Sequence, residues 1–160
     1  MSEIVNVEII TLKVEQATEL SEKLLSAPGA YSKYFTPFDF DRLTISKILS
    51  KARKDTFFGV YIAGKIVGFF MLRGLDKGYK IPSYGVWIAP SYTGKGLGEL
   101  TLKHAVAFCR VNGIEKLMLK VHPENIIAKK LYERNGFTVV GNDEMNGNII
   151  YHKKCVTEND

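Results

Sequence analysis

Long apolar runs are missing from this chain of 160 residues, and none reaches the roughly 18–20 residues that span a bilayer. Membrane contact is therefore not expected. Cysteine is scarce: Cys109 and Cys155 are too few for a disulfide framework and lack metal-ligand spacing. They are read as reduced thiols, and no metal or zinc constellation is visible. The stretch MSEIVNVEII has acidic residues and no basic region before its apolar part, unlike a secretory signal. These absences set the expectation of a cytoplasmic protein. The net charge is +5, but the lysines are spread along the chain. There is no basic arm, zinc-finger signature or RNA-recognition signature, which argues against nucleic acid as a partner. No internal repeat, low-complexity segment or long linker interrupts the sequence, so residues 1–160 are expected to form one domain.

What is present is regular periodicity. EIVNVEIITL (3–12) reads as a strand, and 14–27 as a helix with Ala17, Leu20, Leu24 and Leu25 at helical spacing. Pro28-Gly29 ends it. The aromatic segment YSKYFTPFDF follows, then a helix over 41–54. Residues 56–73 predict a hairpin turning at Gly64-Lys65, and SYGVWIAP a further strand. A helix over 97–112 carries Leu102, Ala105, Val106 and Cys109 on one stripe and ends at Asn112-Gly113. KLMLKV (116–121), a helix over 124–135, and the strands FTVVG and NIIYHKK complete the chain. The order predicts an α/β (α+β) fold, a mixed sheet flanked by helices.

Three glycines crowd into SYTGKGLGEL, between a strand and a helix. A nucleotide-hydrolase loop would need a glycine at 89 and a hydroxyl at 96, where the chain has Ala89 and Gly96. The upstream GVYIAGKI places Ile66 where the magnesium-binding hydroxyl belongs, so its match is chance. A dinucleotide fingerprint would need Gly or Ala at 99, where Glu99 stands. What survives is a glycine turn whose backbone N–H groups precede a helix, an arrangement that binds anions. The plain alternative is a Gly-rich turn with no ligand.

A second constellation lies in HPENIIAKKLYERNGF. Asn125, Ala128 and Tyr132 are three and four residues apart and share one helix face. An amide, a small side chain and a phenol on one stripe would let a thin ligand lie along the helix. The alternative is that Tyr132 packs in the core with Leu131 and Phe137. Taken together, VWIAPSYTGKGLGELTLKHAVAFCR and VHPENIIAKKLYERNGF resemble the GCN5-related N-acetyltransferase (GNAT) family over about residues 57–141.

The resemblance implies a mostly antiparallel central sheet, with the strands around 84–89 and 116–121 splayed apart. It implies acetyl-CoA as cofactor, with a diphosphate cradled by Thr93, Gly94, Lys95, Gly96, Leu97, Gly98 and Glu99. Val86, Trp87, Ile88 and Ala89 would pair with the pantetheine arm, and a backbone N–H near Ile88 would polarise the thioester. Asn125 would hold the arm, Ala128 would leave room for it, and Tyr132 would protonate the departing thiolate. Thr93 departs from the family's usual Gln or Arg, which removes a long side-chain contact and leaves the backbone donors. No general base is evident. Some members carry an acid where this chain has Lys120; His122, Tyr84 (through water), Asp39 and Asp41 are the substitutes considered. The expected reaction is direct attack on the thioester by a primary amine of a small molecule, an amino sugar among the options. The alternatives are a protein N-terminus or lysine as acceptor, or a non-catalytic acyl-CoA-binding module. The chain would act as a monomer or homodimer. The aromatic segment with Tyr31, Tyr34, Phe35, Phe38 and Phe40 is either an acceptor wall or a cover for the core.

Overall fold

The computed structural model describes residues 3–156. In chain order it contains β1 (Val7–Thr11), α1 (Ala17–Leu25), α2 (Arg42–Lys51), β2 (Thr56–Ile62), β3 (Lys65–Arg73), β4 (Ser83–Ile88), α3 (Leu97–Val111), β5 (Lys116–Val121), α4 (Ile126–Arg134), β6 (Thr138–Asn142) and β7 (Ile149–Lys154). The seven strands form a sheet in the order β1-β2-β3-β4-β5-β7-β6. The pairs β1–β2, β5–β7 and β6–β7 are antiparallel. The pair β4–β5 is parallel, with Ser83 opposite Met118. The mixed, mostly antiparallel sheet with flanking helices is the fold class expected from the sequence. The chain divides into two compact units, residues 1–71 with 85–98, and residues 72–84 with 99–160.

In the first unit the apolar spacing of the helices does the packing. Ala17, Leu20 and Leu24 of α1 and Ile45 and Leu49 of α2 are buried with Phe57, Tyr61, Phe69, Met71 and Trp87. On β2 and β3, Phe58 also stacks on Phe70 with ring centroids 4.7 Å apart. Asp41 starts α2 because its carboxylate accepts from the Thr44 N–H at 3.0 Å and the Thr44 hydroxyl at 2.7 Å. This gives Asp41 a structural task. The hairpin turns at Ala63-Gly64, one residue earlier than expected. Both residues have positive φ (51° and 76°), as a two-residue turn joining twisted strands requires. The GVYIAGKI stretch is strand-turn-strand, as expected. The first strand is shorter than expected, and a 3-10 turn over Val14–Gln16 precedes α1.

In the second unit, Leu102, Ala105 and Cys109 of α3 are buried, as are Leu117, Leu119 and Val121 of β5 and Tyr151 of β7. Both helices end by one device. Gly113 (φ 69°) donates to the Arg110 carbonyl, and Ile114 to that of Cys109. Gly136 (φ 87°) donates to Glu133, and Phe137 to Tyr132. These are Schellman caps with glycine at the left-handed position. Cys109 and Cys155 are free and buried. No helix among the described residues is long and apolar enough to cross a membrane.

Candidate active site

The first unit carries the glycine loop. β4 ends at Ile88, and the Ala89 N–H donates to the Val67 carbonyl at 2.8 Å. Along the strand end Val86 and Ile88 are half-buried, whereas Trp87 and Ala89 face the core. A single 3-10 turn, Pro90–Tyr92, leads to the loop. Thr93 turns its hydroxyl back onto the Pro90 carbonyl at 2.9 Å, so its side chain tightens the turn. Gly94 and Gly96 have φ of 74° and 85°, the region in which a Cβ is strained, and a Cβ on either would meet nothing within 4 Å. Lys95 is exposed, while Leu97 is buried and anchors the first turn of α3. The loop therefore presents backbone to open space at the N-terminus of a helix of 15 residues, whose dipole favours an anion there.

The second unit carries the polar helix face. Asn125 caps α4 by accepting from the Ala128 N–H through Oδ1 at 3.3 Å. Its side-chain nitrogen bonds to nothing among the described residues. Ala128 is half-buried one turn on. Tyr132 is only 8% exposed. Its ring lies 6.0 Å from that of Phe137 and 6.5 Å from that of Tyr151, and its hydroxyl takes no hydrogen bond among the described residues. Burial pushes the Tyr132 phenol up to about 12, which keeps it protonated at neutral pH. The Gly136 cap fixes this residue, because Phe137 binds its carbonyl at 3.0 Å.

The same unit contains the remaining candidates. Tyr84 is buried and shares a hydrogen bond of 2.9 Å with the Thr101 hydroxyl. Burial holds its phenol well above the usual range, and Tyr132 adds to the shift. His122 accepts from the Glu124 N–H through Nδ1 at 3.1 Å. Lys120 pairs with Asp143 at 2.9 Å. Glu99 binds Arg134 at 3.0 Å and Lys103 at 3.7 Å, so its side chain ties the start of α3 to the end of α4. Among the described residues no group of three or more His, Cys, Asp or Glu could hold a metal ion.

The aromatic segment divides. Phe35, Phe38 and Phe40 pack against the core of the first unit, whereas Tyr31 and Tyr34 are each 38% exposed. The sequence reading missed the Thr101 partner of Tyr84, which no motif marks. It also missed the contacts of Tyr31 and Ser32 with the end of β4, described below.

The sequence model of the acetyltransferase (GNAT) family matches residues 19–137. The chain belongs to the acetyltransferase (GNAT) family. Membership bears out the family resemblance read from the sequence. Streptothricin acetyltransferase of Streptomyces lavendulae is 32% identical over 88 residues, 55% of this chain and 47% of that one. The chain thus spans about half the length of that relative. Spermidine N(1)-acetyltransferase of Thermoplasma acidophilum is 25% identical over 161 residues, covering 93% of this chain and 98% of that one. Among solved structures, the PaiA N-acetyltransferase of Thermoplasma acidophilum in complex with coenzyme A superposes with a TM-score of 0.75 at 21% identity. That match covers 93% of this chain and 99% of the other, and it shows a shared fold.

Proposed function

We propose that this chain is a single-domain, cytoplasmic N-acetyltransferase that moves an acetyl group from acetyl-CoA to a primary amine of a small molecule. The observation that carries the reading is Tyr132: a buried phenol, kept protonated, with no hydrogen-bond partner of its own among the described residues. Its ring is buried while its hydroxyl keeps access to solvent, so the proton is open to a ligand. The backbone N–H groups of residues 93–99 hold the cofactor's diphosphate. The main chain of 86–89 lines its pantetheine arm, the Asn125 side-chain nitrogen donates to that arm, and Ala128 leaves room for it. A backbone N–H near Ile88 stabilises the oxyanion.

The free amine attacks the thioester carbon, and the carbonyl electrons move onto oxygen. As the C–S bond breaks, Tyr132 gives its proton to the thiolate. A phenol at about 12 is a weaker acid than an ordinary thiol near 8.5. Tyr132 therefore acts as a relay: it regains a proton from the substituted nitrogen, which becomes acidic on bonding to the tetrahedral carbon. The products are the N-acetyl amine and the free CoA thiol. Tyr84 and His122 remain the groups that could carry off the earlier ammonium proton. Tyr84 would serve as a relay through water, because burial keeps its phenol protonated well above the usual range.

The acceptor class we favour is an alkylamine of the polyamine kind. A spermidine acetyltransferase aligns with nearly the whole chain, and residues beyond the common cofactor-binding stretch take part in that match. Amino sugars are the second class to test. Purified protein with acetyl-CoA is offered spermidine, amino sugars and lysine-containing peptides, and free thiol is followed. Thiol release with spermidine supports the reading. Cofactor-induced thermal stabilisation with no transfer to any acceptor would make the chain a binding module instead.

A further inference from the structure

Two hydrogen bonds join residues more than fifty positions apart in the first unit. The Tyr31 hydroxyl donates to the Ile88 carbonyl. The Trp87 indole N–H donates to the Ser32 hydroxyl at 3.1 Å. Between them the Tyr31 and Trp87 rings meet edge to face, with centroids 6.1 Å apart and planes at 84°. Pro28 starts, and Gly29–Ser32 forms, the 3-10 turn that delivers both side chains. Tyr31 and Ser32 therefore grip the last two residues of β4.

The direction of the grip matters. The Ala89 N–H points to β3, where it meets the Val67 carbonyl. Alternation along a strand turns the N–H and C=O of Ile88 to the opposite edge. Tyr31 binds the carbonyl on that edge, so its hydroxyl lies beside the Ile88 N–H. Most of the segment that follows contributes apolar rings to the core. Tyr31 instead is 38% exposed and spends its hydroxyl on a main-chain carbonyl rather than on water.

We propose that Tyr31 is a positioning residue, whose hydroxyl fixes the orientation of the Ile88 peptide groups at the end of β4. The proposal rests on the functional reading above, in which a backbone donor near Ile88 polarises the thioester. A donor is effective only when aimed at the developing oxyanion, and a misplacement near 1 Å can cost 10²-fold. Tyr31 acts on the reaction through Ile88. Its ring contributes packing, and its hydroxyl sets the geometry.

Tyr31→Phe keeps the ring and removes the hydroxyl; Tyr31→Leu removes both. If the hydroxyl is what matters, both variants lower kcat alike, by about tenfold. The acetyl-CoA KM changes less than about twofold, and the Tyr31→Phe melting temperature falls by no more than about 4 °C. A Tyr31→Phe enzyme with wild-type kcat overturns the proposal, whatever Tyr31→Leu does. Amide hydrogen exchange supplies a readout independent of turnover. The Ile88 and Ala89 amides should exchange about fivefold faster in Tyr31→Phe, the change that loss of one hydrogen bond produces. Unchanged exchange at both overturns the proposal. A wild-type protein that transfers no acetyl group defeats the functional reading alone, and the exchange result then decides whether Tyr31 orders Ile88.

Discussion

Replacing Tyr132 with phenylalanine separates chemistry from packing. The ring keeps its neighbours Phe137 and Tyr151 at 6.0 and 6.5 Å, and the main-chain bond from Phe137 at 3.0 Å does not involve the hydroxyl. Because that hydroxyl has no partner among the described residues, its loss leaves no donor or acceptor orphaned there. The hydroxyl is not among the buried unpaired atoms, so Tyr132→Phe should lie within about 1 kcal/mol of wild type in stability. For a chain of this size that is a change of no more than about 2–4 °C in melting temperature. Turnover should fall steeply. Loss of a proton donor lowers kcat by about 10²–10⁴-fold, equivalent to about 2.7–5.5 kcal/mol of barrier. The acetyl-CoA KM should stay within about threefold. A chromogenic disulfide reagent can follow the CoA thiol continuously, because Cys109 and Cys155 are both buried and give little background. A kcat within about threefold of wild type would refute the role of Tyr132. So would a loss of kcat that merely tracks a fall in melting temperature.

In the proposed role, Tyr132 would also set the alkaline side of the pH profile. Its phenol is pushed up to about 12, so the proton-donating form persists above the ordinary tyrosine value of about 10. With an alkylamine acceptor, kcat/KM should rise about tenfold per pH unit from about 7 to 9 as the ammonium loses its proton, without falling by about pH 10.5. A decline centred near 10 would contradict this. The same shift has a stability sign: the native state holds this proton more tightly, so its contribution is complete below about 10 and is lost as pH rises through about 12. Wild type should therefore lose more melting temperature than Tyr132→Phe in that window. Gly96→Ala forces an L side chain to φ 85°, at a cost of about 1–2 kcal/mol, and should raise the acetyl-CoA KM about tenfold with a smaller change in kcat. Titration calorimetry with CoA checks it, and unchanged affinity would argue against the loop as diphosphate site. Asp41→Ala removes the α2 cap and should lower the melting temperature by about 2–5 °C with turnover intact. Lost turnover at an unchanged melting temperature would make Asp41 a working carboxylate.

Much of the fold was legible because its signals are local. The spacing of Ala17, Leu20 and Leu24 places one face of α1 in the core, and Gly113 and Gly136 mark where α3 and α4 must stop. The hairpin was misplaced by one residue because Ala63 accepts positive φ, which a nonglycine residue rarely announces. Gly94 and Gly96 were legible as a turn before α3 because both have positive φ, a conformation that glycine adopts without strain. The Tyr84–Thr101 bond and the grip of Tyr31 and Ser32 on β4 were not legible. They join positions 17, 55 and 57 residues apart, and serine, threonine and tyrosine hydroxyls look alike in sequence wherever they point.

The missing general base has the same physical origin. Near the end of β5 the chain has Lys120 where some family members carry an acid, and it offers His122 instead; the structure engages both elsewhere. Lys120 holds Asp143 at 2.9 Å, and that pairing lowers the Asp143 carboxyl below its usual range. His122 Nδ1 receives the Glu124 N–H. A carboxylate at position 120 would face Asp143 as a like charge, so an acid there would also require a change at Asp143. Lys120 and Asp143 are in this sense one choice, and it closes β5 to the carboxylate that some family members use as a base. In the proposed mechanism, proton removal from the acceptor falls to solvent or to a relay through it. An acceptor whose amine is already partly deprotonated would consequently gain more from this enzyme than a fully protonated one of equal size.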